Sequence, residues 1–185
     1  MAVSDRELVL RAQKGDLKAF DELVLRHNQR VYILARRILG NHEDALDVHQ
    51  EAFLRAWKSI RKFRGDSEFS TWLYRITVNS CLSRKRIREQ SRDHVEFDEE
   101  IAGHSGSFST NSLEQTESVI AARQILSSLP ERYRVFLILR ELDGRSYEEI
   151  AEIMDCSVDT VKTSLYRARK QLLEKVAPRI EGEGL

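Results

Sequence analysis

Apolar residues recur along this chain at the spacing of amphipathic helices. The clearest run covers residues 146–170, where apolar positions follow the i, i+3, i+4, i+7 pattern, stop at residues 155–157 and then resume. Ser146 and Ser157 each stand where an N-cap belongs, and Glu149 gives Ser146 the spacing of a capping box. The run therefore predicts two short helices joined by a three-residue turn, which is a helix-turn-helix.

The outward side of the second predicted helix carries side chains that bond phosphates and base edges. A helix-turn-helix places this second helix in the DNA major groove. The alternative is an ordinary helical hairpin whose charged face is merely solvated, but the turn length, the caps and the one-sided polar face favour DNA binding. The candidate DNA-binding residues are Lys162, Thr163, Tyr166, Arg167, Arg169 and Lys170.

The N-terminal half of the chain shows four further helical runs. Ser4 and Asp16 are placed to cap the first two, and Gly40 is placed to end the second. His27 lies in the apolar stripe of the second run, so we expect a packed histidine rather than a ligand. These runs predict a small helical domain in front of the helix-turn-helix.

The third run, residues 42–60, combines a polar side with an exposed leucine. That side could be a partner surface or simply solvated charge, and periodicity alone favours neither. His42 and His49 are two helical turns apart, with no cysteine or third histidine nearby, so no metal site is predicted there. The residues on outer or flanking positions are Asp44, Asp47, Gln50, Glu51, Leu54, Arg55 and Lys58.

Aromatic and basic residues alternate in the stretch between the third and fourth runs. Proteins that bind single-stranded nucleic acid use this mixture, with rings that stack on bases and cations that contact the backbone. Some of these rings must also form the core of a small domain. Composition favours the core for Trp72 and leaves Phe63 and Phe69 open. The stretch contains Arg61, Lys62, Phe63, Arg64, Phe69, Trp72, Tyr74 and Arg75.

The formal net charge is zero, but the charges are unevenly distributed. Residues 1–92 hold 19 Lys and Arg against 12 Asp and Glu, whereas residues 93–117 hold 7 acidic residues and no basic one. The second stretch also mixes Gly, Ser, Thr and Asn and loses apolar periodicity, as linkers do. The sequence therefore predicts two small helical domains, residues 1–92 and 118–185, joined by a flexible acidic linker.

Composition indicates an all-α protein without chemistry of its own. Only 2 prolines and 8 glycines occur among 185 residues. The chain shows no Gly-rich phosphate loop, no nucleophile with a plausible base and no metal-ligand spacing, so we expect neither an enzyme nor a cofactor. No apolar run is long enough for membrane insertion, and the N-terminal residues lack a secretory pattern. Cys81 and Cys156 lack CxxC spacing, which predicts free, buried thiols in a reducing cytoplasm.

Two blocks of sequence give the chain a family resemblance over nearly its whole length. The first is DALDVHQEAFLRAWKSIRKFRGDSEFSTWLYRITVNSCLSRKR, and the second, after the linker, is LPERYRVFLILRELDGRSYEEIAEIMDCSVDTVKTSLYRARKQL. The chain resembles the bacterial RNA polymerase sigma factors, in particular the small extracytoplasmic-function (ECF) group, which has only the second and fourth conserved sigma regions. Both blocks at this separation are far more specific than a helix-turn-helix alone.

The resemblance implies that the third helical run docks on the clamp helices of the polymerase large subunit. This favours the partner-surface interpretation of its polar side. Leu46 and His49 depart from the acidic and aliphatic residues that the family has at these positions. The polymerase-binding residues implied are Asp44, Asp47, Gln50, Glu51, Leu54 and Arg55.

The resemblance also implies that residues 63–79 capture a base flipped from the non-template strand of the −10 promoter element. Flipping costs a few kcal/mol of stacking per base, which stacking on aromatic rings at about 1–3 kcal/mol each can offset. The polar face of the helix-turn-helix matches positions that meet the −35 element. The strand-capture residues implied are Phe63, Arg64, Phe69, Trp72, Arg75 and Asn79.

The resemblance thus implies an initiation factor that binds core RNA polymerase and promoter DNA in the cytoplasm, at the nucleoid. An anti-sigma factor would cover both binding faces, and the acidic linker would thread toward the RNA exit channel. One alternative is a helix-turn-helix repressor or activator acting on duplex DNA, which has no need of the aromatic and basic residues at 61–79. Another is a sigma-like decoy, which could lose the basic face at residues 162–170.

Overall fold

The described parts of the chain form helices joined by turns. The computed structural model describes residues 3–93, 126 and 128–181, with seven α-helices and no strand among them. The chain divides into two compact units, Met1–Phe108 and Ser109–Leu185, each of which is described by itself. The predicted all-α fold is confirmed. The predicted acidic linker, residues 93–117, lies outside the described residues except for Asp93. The spacing of Val119, Ala122, Ile125 and Leu126 also predicts a helix from about Ser118, and its start lies outside the described residues too.

The N-terminal unit contains four described α-helices, the first three of which begin with a side-chain cap. Ser4 Oγ accepts the N–H of Glu7 at 3.2 Å, and Asp16 Oδ1 accepts the N–H of Ala19 at 3.1 Å, so both predicted caps are confirmed. Gly40 ends the second helix at a φ of 83°, a left-handed conformation that glycine adopts at low cost. The helices are α1 (Asp5–Gln13), α2 (Leu17–Leu39), α3 (His42–Ser59) and α4 (Phe69–Asp93), and a 3-10 turn (Ile60–Lys62) follows α3.

Helices α2, α3 and α4 pack on one another, and α1 covers α2. Leu23 of α2, Ala52 of α3 and Leu73 of α4 are fully buried in one apolar cluster. His27 is also buried, with its Nε2 atom 2.6 Å from Asp5 Oδ2, which confirms that it is a packed histidine. Burial of these apolar faces drives the assembly of the unit.

Asp44 is not on the outer side of α3, and the sequence-based expectation for it is wrong. Asp44 is only 9% exposed. Its carboxylate accepts hydrogen bonds from Asn41 Nδ2 at 2.6 Å, from Arg84 Nε at 3.0 Å and from Arg88. Arg84 also donates to Asp47 Oδ2 at 2.5 Å. We call Asn41, Asp44, Asp47, Arg84 and Arg88 the α3–α4 ion cluster. It joins the start of α3 to the end of α4.

The α3–α4 ion cluster changes the pKa of its central carboxyl group. Burial alone would raise the pKa of Asp44, but the hydrogen bonds from Asn41 and Arg84 and the charge of Arg88 lower it below the ordinary value. The hydrogen bonds to Asp47 and Asp44 in turn raise the pKa of Arg84. The cluster is therefore stabilised as a set of charged groups.

The C-terminal unit contains three described α-helices and a π-helical turn. The N–H of Asp143 donates to the oxygen of Ile138, five residues earlier, at 3.0 Å, which is the π-helical pattern. Pro130 and Asp143-Gly144 mark the two ends of one ordinary helix predicted from the sequence, and only its first part is α-helical. The elements are α5 (Glu131–Leu137), the π-helical turn (Ile138–Leu142), α6 (Tyr147–Met154) and α7 (Val158–Glu181).

The two cysteines are free but differ in exposure. Cys81 is buried in α4, as expected, whereas Cys156 in the turn between α6 and α7 is partly exposed, which corrects the expectation of a buried thiol. In the part of the chain that the structure describes, no helix combines the length and the apolar content needed to cross a bilayer.

Replacing Asp44 should destabilise the N-terminal unit. For Asp44→Asn we expect the free energy of unfolding to fall by about 1–2 kcal/mol near neutral pH, since Arg84 and Arg88 lose their charged acceptor. Urea unfolding followed by tryptophan fluorescence measures this, because both tryptophans, Trp57 and Trp72, lie in this unit.

The pH dependence gives a second check on the Asp44 prediction. Because folding lowers the pKa of Asp44, its contribution is complete above the ordinary aspartate value of about 3.9 and is lost as the pH falls through the folded pKa. The difference between Asp44→Asn and wild type should therefore shrink in acid. Asp66→Asn is the control, because the Arg64–Asp66 pair is exposed and should matter little. Equal losses in both variants would contradict the prediction.

Candidate nucleic-acid interface

The helix-turn-helix is built from two capped helices. Ser146 Oγ accepts the N–H of Glu149 at 3.1 Å, and Glu149 Oε2 accepts the N–H of Ser146 at 2.8 Å, which confirms the capping box. Ser157 Oγ accepts the N–H of Thr160 at 3.2 Å, which confirms the second cap. Between the helices Asp155 adopts a left-handed φ of 51°. The caps fix where each helix begins and so fix the turn.

The apolar sides of α6 and α7 determine which side of α7 faces solvent. Ile150 and Ile153 of α6 are buried, as are Val161 and Leu165 of α7. Ser164 lies on the same buried side at 8% exposure, so its hydroxyl is not presented to a partner. The opposite side of α7 therefore forms the outer surface of the helix-turn-helix.

That outer surface carries the side chains that the sequence singled out. The six are exposed, and Tyr166 is the most prominent ring among them at 69% exposure. Their exposure is confirmed, whereas their contact with DNA stays a prediction. We call this set the recognition face: Lys162, Thr163, Tyr166, Arg167, Arg169 and Lys170.

Two arginines of the recognition face have different surroundings. Arg169 donates through its terminal nitrogen to Glu141 Oε1 at 2.6 Å, and this hydrogen bond raises the pKa of its guanidinium. Arg167 has no hydrogen-bond or ion-pair partner among the described residues. The π-helical turn carries Glu141 and so holds Arg169 at the side of the face, while Arg167 remains available to a ligand.

A second candidate surface lies at the start of α4, where three aromatic rings meet. The ring of Phe63 lies 4.9 Å from that of Trp72 and 6.2 Å from that of Phe69, and the Phe69 and Trp72 rings are 5.7 Å apart. We call Phe63, Phe69 and Trp72 the aromatic cluster. The structure therefore brings together the three rings that the family resemblance implies for strand capture.

The three rings of the aromatic cluster are not buried in the way that the sequence led us to expect. Phe69 is only 3% exposed and belongs to the core, whereas Phe63 and Trp72 are partly buried against it. The sequence favoured Trp72 as the core ring, and this expectation is corrected. Phe69, which the sequence left open between core and surface, is the core ring. A buried ring cannot stack on a base, so Phe69 supports the other two rings instead.

The polar strand-capture candidates surround this cluster. Arg64 lies in the loop after Phe63, is exposed and pairs with Asp66 at 3.0 Å. Arg75 and Asn79 follow Trp72 by three and seven residues on α4, and therefore share its side of the helix. Arg75 is half-buried and Asn79 is exposed. A cation, an amide and two rings thus lie along one surface.

The polymerase-binding candidates on α3 divide into two groups. Asp44 is buried in the α3–α4 ion cluster, and Asp47 is exposed but bonded to Arg84. Glu51 and Arg55 pair with each other along the helix at 2.5 Å. Gln50 and Leu54 are exposed, Leu54 at 60%.

Gln50 and Leu54 border an apolar groove between α2 and α3. The histidine that departs from the family pattern, His49, lies in this groove, with its Nε2 2.5 Å from Asn28 Oδ1, and burial lowers its pKa. His42 instead bonds Tyr32, and no group of three or more possible metal ligands occurs among the described residues. The groove is lined by Leu17, Phe20, Val24, His49, Gln50, Phe53, Leu54 and Trp57.

Sequence reasoning missed the residues of α1 that contact the aromatic cluster and its loop. Gln13 donates to the backbone oxygens of Ile60 and Phe63, and Asp5 contacts His27, whose ring packs 5.4 Å from Phe69. These partners lie 22 to 50 residues away along the chain. No local pattern in the sequence signals such contacts.

The fold and the two surfaces define a class: a helical protein that combines a helix-turn-helix with a second surface of aromatic and basic side chains at the start of α4. The sequence matches the family model described as Sigma-70 region 2 over residues 23–92 and that described as Sigma-70, region 4 over residues 120–172. It is 41% identical to the ECF RNA polymerase sigma-E factor of Escherichia coli (strain K12), over 96% of this chain and 97% of that protein.

Solved structures agree with these sequence matches. CnrH, in complex with the cytosolic domain of CnrY, is 26% identical with a TM-score of 0.69, over 97% of this chain and 99% of that one. The sigma factor RpoE from Bartonella quintana, in complex with the anti-sigma factor NepR, is 27% identical with a TM-score of 0.67, over 86% of this chain and 98% of that one. The chain belongs to the ECF RNA polymerase sigma factors, which are transcription initiation factors.

Proposed function

We propose that this sigma factor binds core RNA polymerase, recognises the −35 and −10 promoter elements and promotes opening of the DNA at the second. The observation that carries the proposal is the presence, in one chain, of the recognition face on α7 and the aromatic cluster on the N-terminal unit. A regulator acting on duplex DNA alone needs only the first of these surfaces. Family membership over both blocks also argues against that alternative.

The recognition face would bind the −35 duplex. Arginine bonds guanine edges through two donors, and lysine bonds phosphates as a point charge. Arg167 is the candidate for a base contact, because it is exposed and has no partner among the described residues. Arg169, which is bonded to Glu141, is better placed for a phosphate beside the groove. Lys162, Thr163, Tyr166 and Lys170 would complete the contacts.

The aromatic cluster and its polar neighbours would capture the unpaired −10 strand. Phe63 and Trp72 would stack on a flipped base, while Phe69 supports both rings from the core. Arg64 and Arg75 would contact the strand backbone, and Asn79 would donate or accept hydrogen bonds on a base edge. Stacking would thereby offset the cost of flipping.

The polymerase would bind on α3 and the adjoining groove. An interface core is depleted of charge and surrounded by a polar rim. Leu54 and the apolar lining of the groove would form that core, and Gln50, Glu51, Arg55 and Asp47 the rim. Asp44 would not contact the polymerase itself. Its carboxylate would act indirectly, by orienting Arg84 and Arg88.

The assignment as a sigma factor also implies how the protein is inhibited and how its chain is divided into domains. The complexes of CnrH with CnrY and of RpoE with NepR support an anti-sigma factor for this chain, which would cover both faces. The domains would be residues 1–92 and 118–185, with an acidic linker at 93–117 directed toward the RNA exit channel. The protein would have no catalytic activity and would work in the cytoplasm at the nucleoid.

The proposed function has a direct test in transcription. The protein should retain core RNA polymerase from the same organism in a pull-down and should direct run-off transcription from a subset of genomic fragments. Core polymerase without the protein is the control. DNA binding without polymerase association would favour the duplex regulator, and association without transcription would favour the decoy.

Phe63→Ala should slow promoter opening and leave polymerase binding unchanged. The variant loses a stacking surface that we estimate at about 1–3 kcal/mol, while the α3 face is untouched. Permanganate reactivity of unpaired thymines measures opening, and the pull-down measures polymerase binding. Leu25→Ala, which removes an exposed apolar side chain of α2 outside the proposed surfaces, is the control and should open normally. Normal opening by Phe63→Ala would remove this ring from the strand-capture surface.

Arg167→Ala should weaken binding to the −35 duplex by about 1–3 kcal/mol, the usual effect of losing a base contact. Affinity for a scrambled duplex should fall much less. Lys175→Ala is the matched control, because it removes one exposed positive charge two turns further along α7 and should change both affinities equally. An equal loss on both duplexes in Arg167→Ala would assign Arg167 to phosphates instead.

A further inference from the structure

Helix α1 belongs to none of the three proposed interfaces, yet its last residue, Gln13, holds the loop that begins at Phe63. The Nε2 atom of Gln13 donates to the backbone oxygen of Ile60 at 3.0 Å and to that of Phe63 at 2.7 Å. A side-chain amide has two N–H groups, so both are used here. One side chain therefore connects the 3-10 turn and the loop to a helix about fifty residues earlier.

The backbone changes direction where Gln13 binds it. The N–H of Phe63 donates to Ile60 O at 3.0 Å and closes the 3-10 turn, after which Phe63 adopts an extended conformation with φ −71° and ψ 117°. The side chains that follow, Arg64 and Asp66, are 83% and 72% exposed. Gln13 thus fixes the Phe63 end of a loop whose next residues lie in solvent.

The other end of α1 supports the same aromatic cluster. Asp5, the first residue of α1, lies 2.6 Å from His27 Nε2, and the His27 ring packs 5.4 Å from Phe69. Phe69 in turn contacts the rings of Phe63 and Trp72. Helix α1 therefore acts on the cluster twice, through the backbone of Phe63 and through the buried ring beneath it.

We propose that Gln13 is a positioning residue for strand capture, because its amide holds the backbone of Phe63 with the ring against Trp72. This inference rests on the proposed function of Phe63. A binding group works best when it is held within about 0.5 Å of its productive position. A loose loop would lose conformational entropy each time it captured a base, and Gln13 removes that loss before DNA arrives.

The test uses the full-length protein with core RNA polymerase, on a promoter selected by run-off transcription. Gln13→Leu removes both donors at similar size, and Gln13→Glu places acceptor oxygens against the two backbone oxygens. We expect each to slow promoter opening about tenfold, which corresponds to about 1.4 kcal/mol. Binding to polymerase and to the −35 duplex should match wild type. Lys14→Ala, exposed beside Gln13, is the control and should open normally.

A double-mutant cycle separates positioning from general stability. If Gln13 acts through Phe63, Gln13→Leu will add no further slowing to Phe63→Ala, and fully additive slowing would overturn the inference. Thermal unfolding identifies a misfolded variant, in which case Gln13→Glu serves in the cycle. Normal opening by Gln13→Leu, where Phe63→Ala is slow, overturns the inference alone. Normal opening by Phe63→Ala overturns the proposed strand capture as well.

Discussion

Burial of one side of helix α4 constrains what the N-terminal unit presents to its surroundings. Leu73 and Val78 are buried in the unit, which packs α4 on α2 and α3, and this fixes the rotation of α4 about its axis. Trp72 and Asn79, each one position away, are carried toward the outer side as a consequence. Because successive helical residues differ by about 100° in direction, a shift of one residue in this packing would exchange a core leucine for the ring proposed to meet DNA. The position of the strand-capture surface is therefore a result of core packing.

Ion pairs within the chain determine which charges remain for partners. Arg84 is bonded to Asp44, so part of the basic end of α4 is already neutralised inside the unit. On α7, Glu141 bonds Arg169 and leaves Arg167 without a partner among the described residues. The Glu141–Arg169 pair is exposed and contributes little to stability, but it restricts where one guanidinium lies. A net charge of zero is thus compatible with nucleic-acid binding, because the local arrangement of charge matters more than its sum.

The sequence was informative where the controlling contact is local. The caps of the helix-turn-helix depend on groups three residues apart, so Ser146 could be predicted from its neighbours. Periodicity did not separate Phe69 from Trp72, because residues three apart share one side of a helix and differ only in depth. Asp44 and Gln13 were misjudged or missed because their partners come 40 to 50 residues later and are brought close only by the fold. Helix positions were therefore predictable, and the contacts between helices were not.

The two proposed DNA contacts differ in physical type. The recognition face would control binding to the duplex, and the aromatic cluster would control opening. The recognition face offers exposed cations such as Lys162 and Arg167, and cations on phosphates release counterions, so duplex binding should weaken steeply with salt. The aromatic cluster offers Phe63 and Trp72, and their stacking on a base involves no ion pair and releases no counterion. Salt should therefore weaken the duplex complex more than strand capture, where only Arg64 and Arg75 are proposed to contact phosphates. Opening should depend more on how well the rings are held in advance. Gln13 matters for the second step because it acts on backbone geometry and carries no charge.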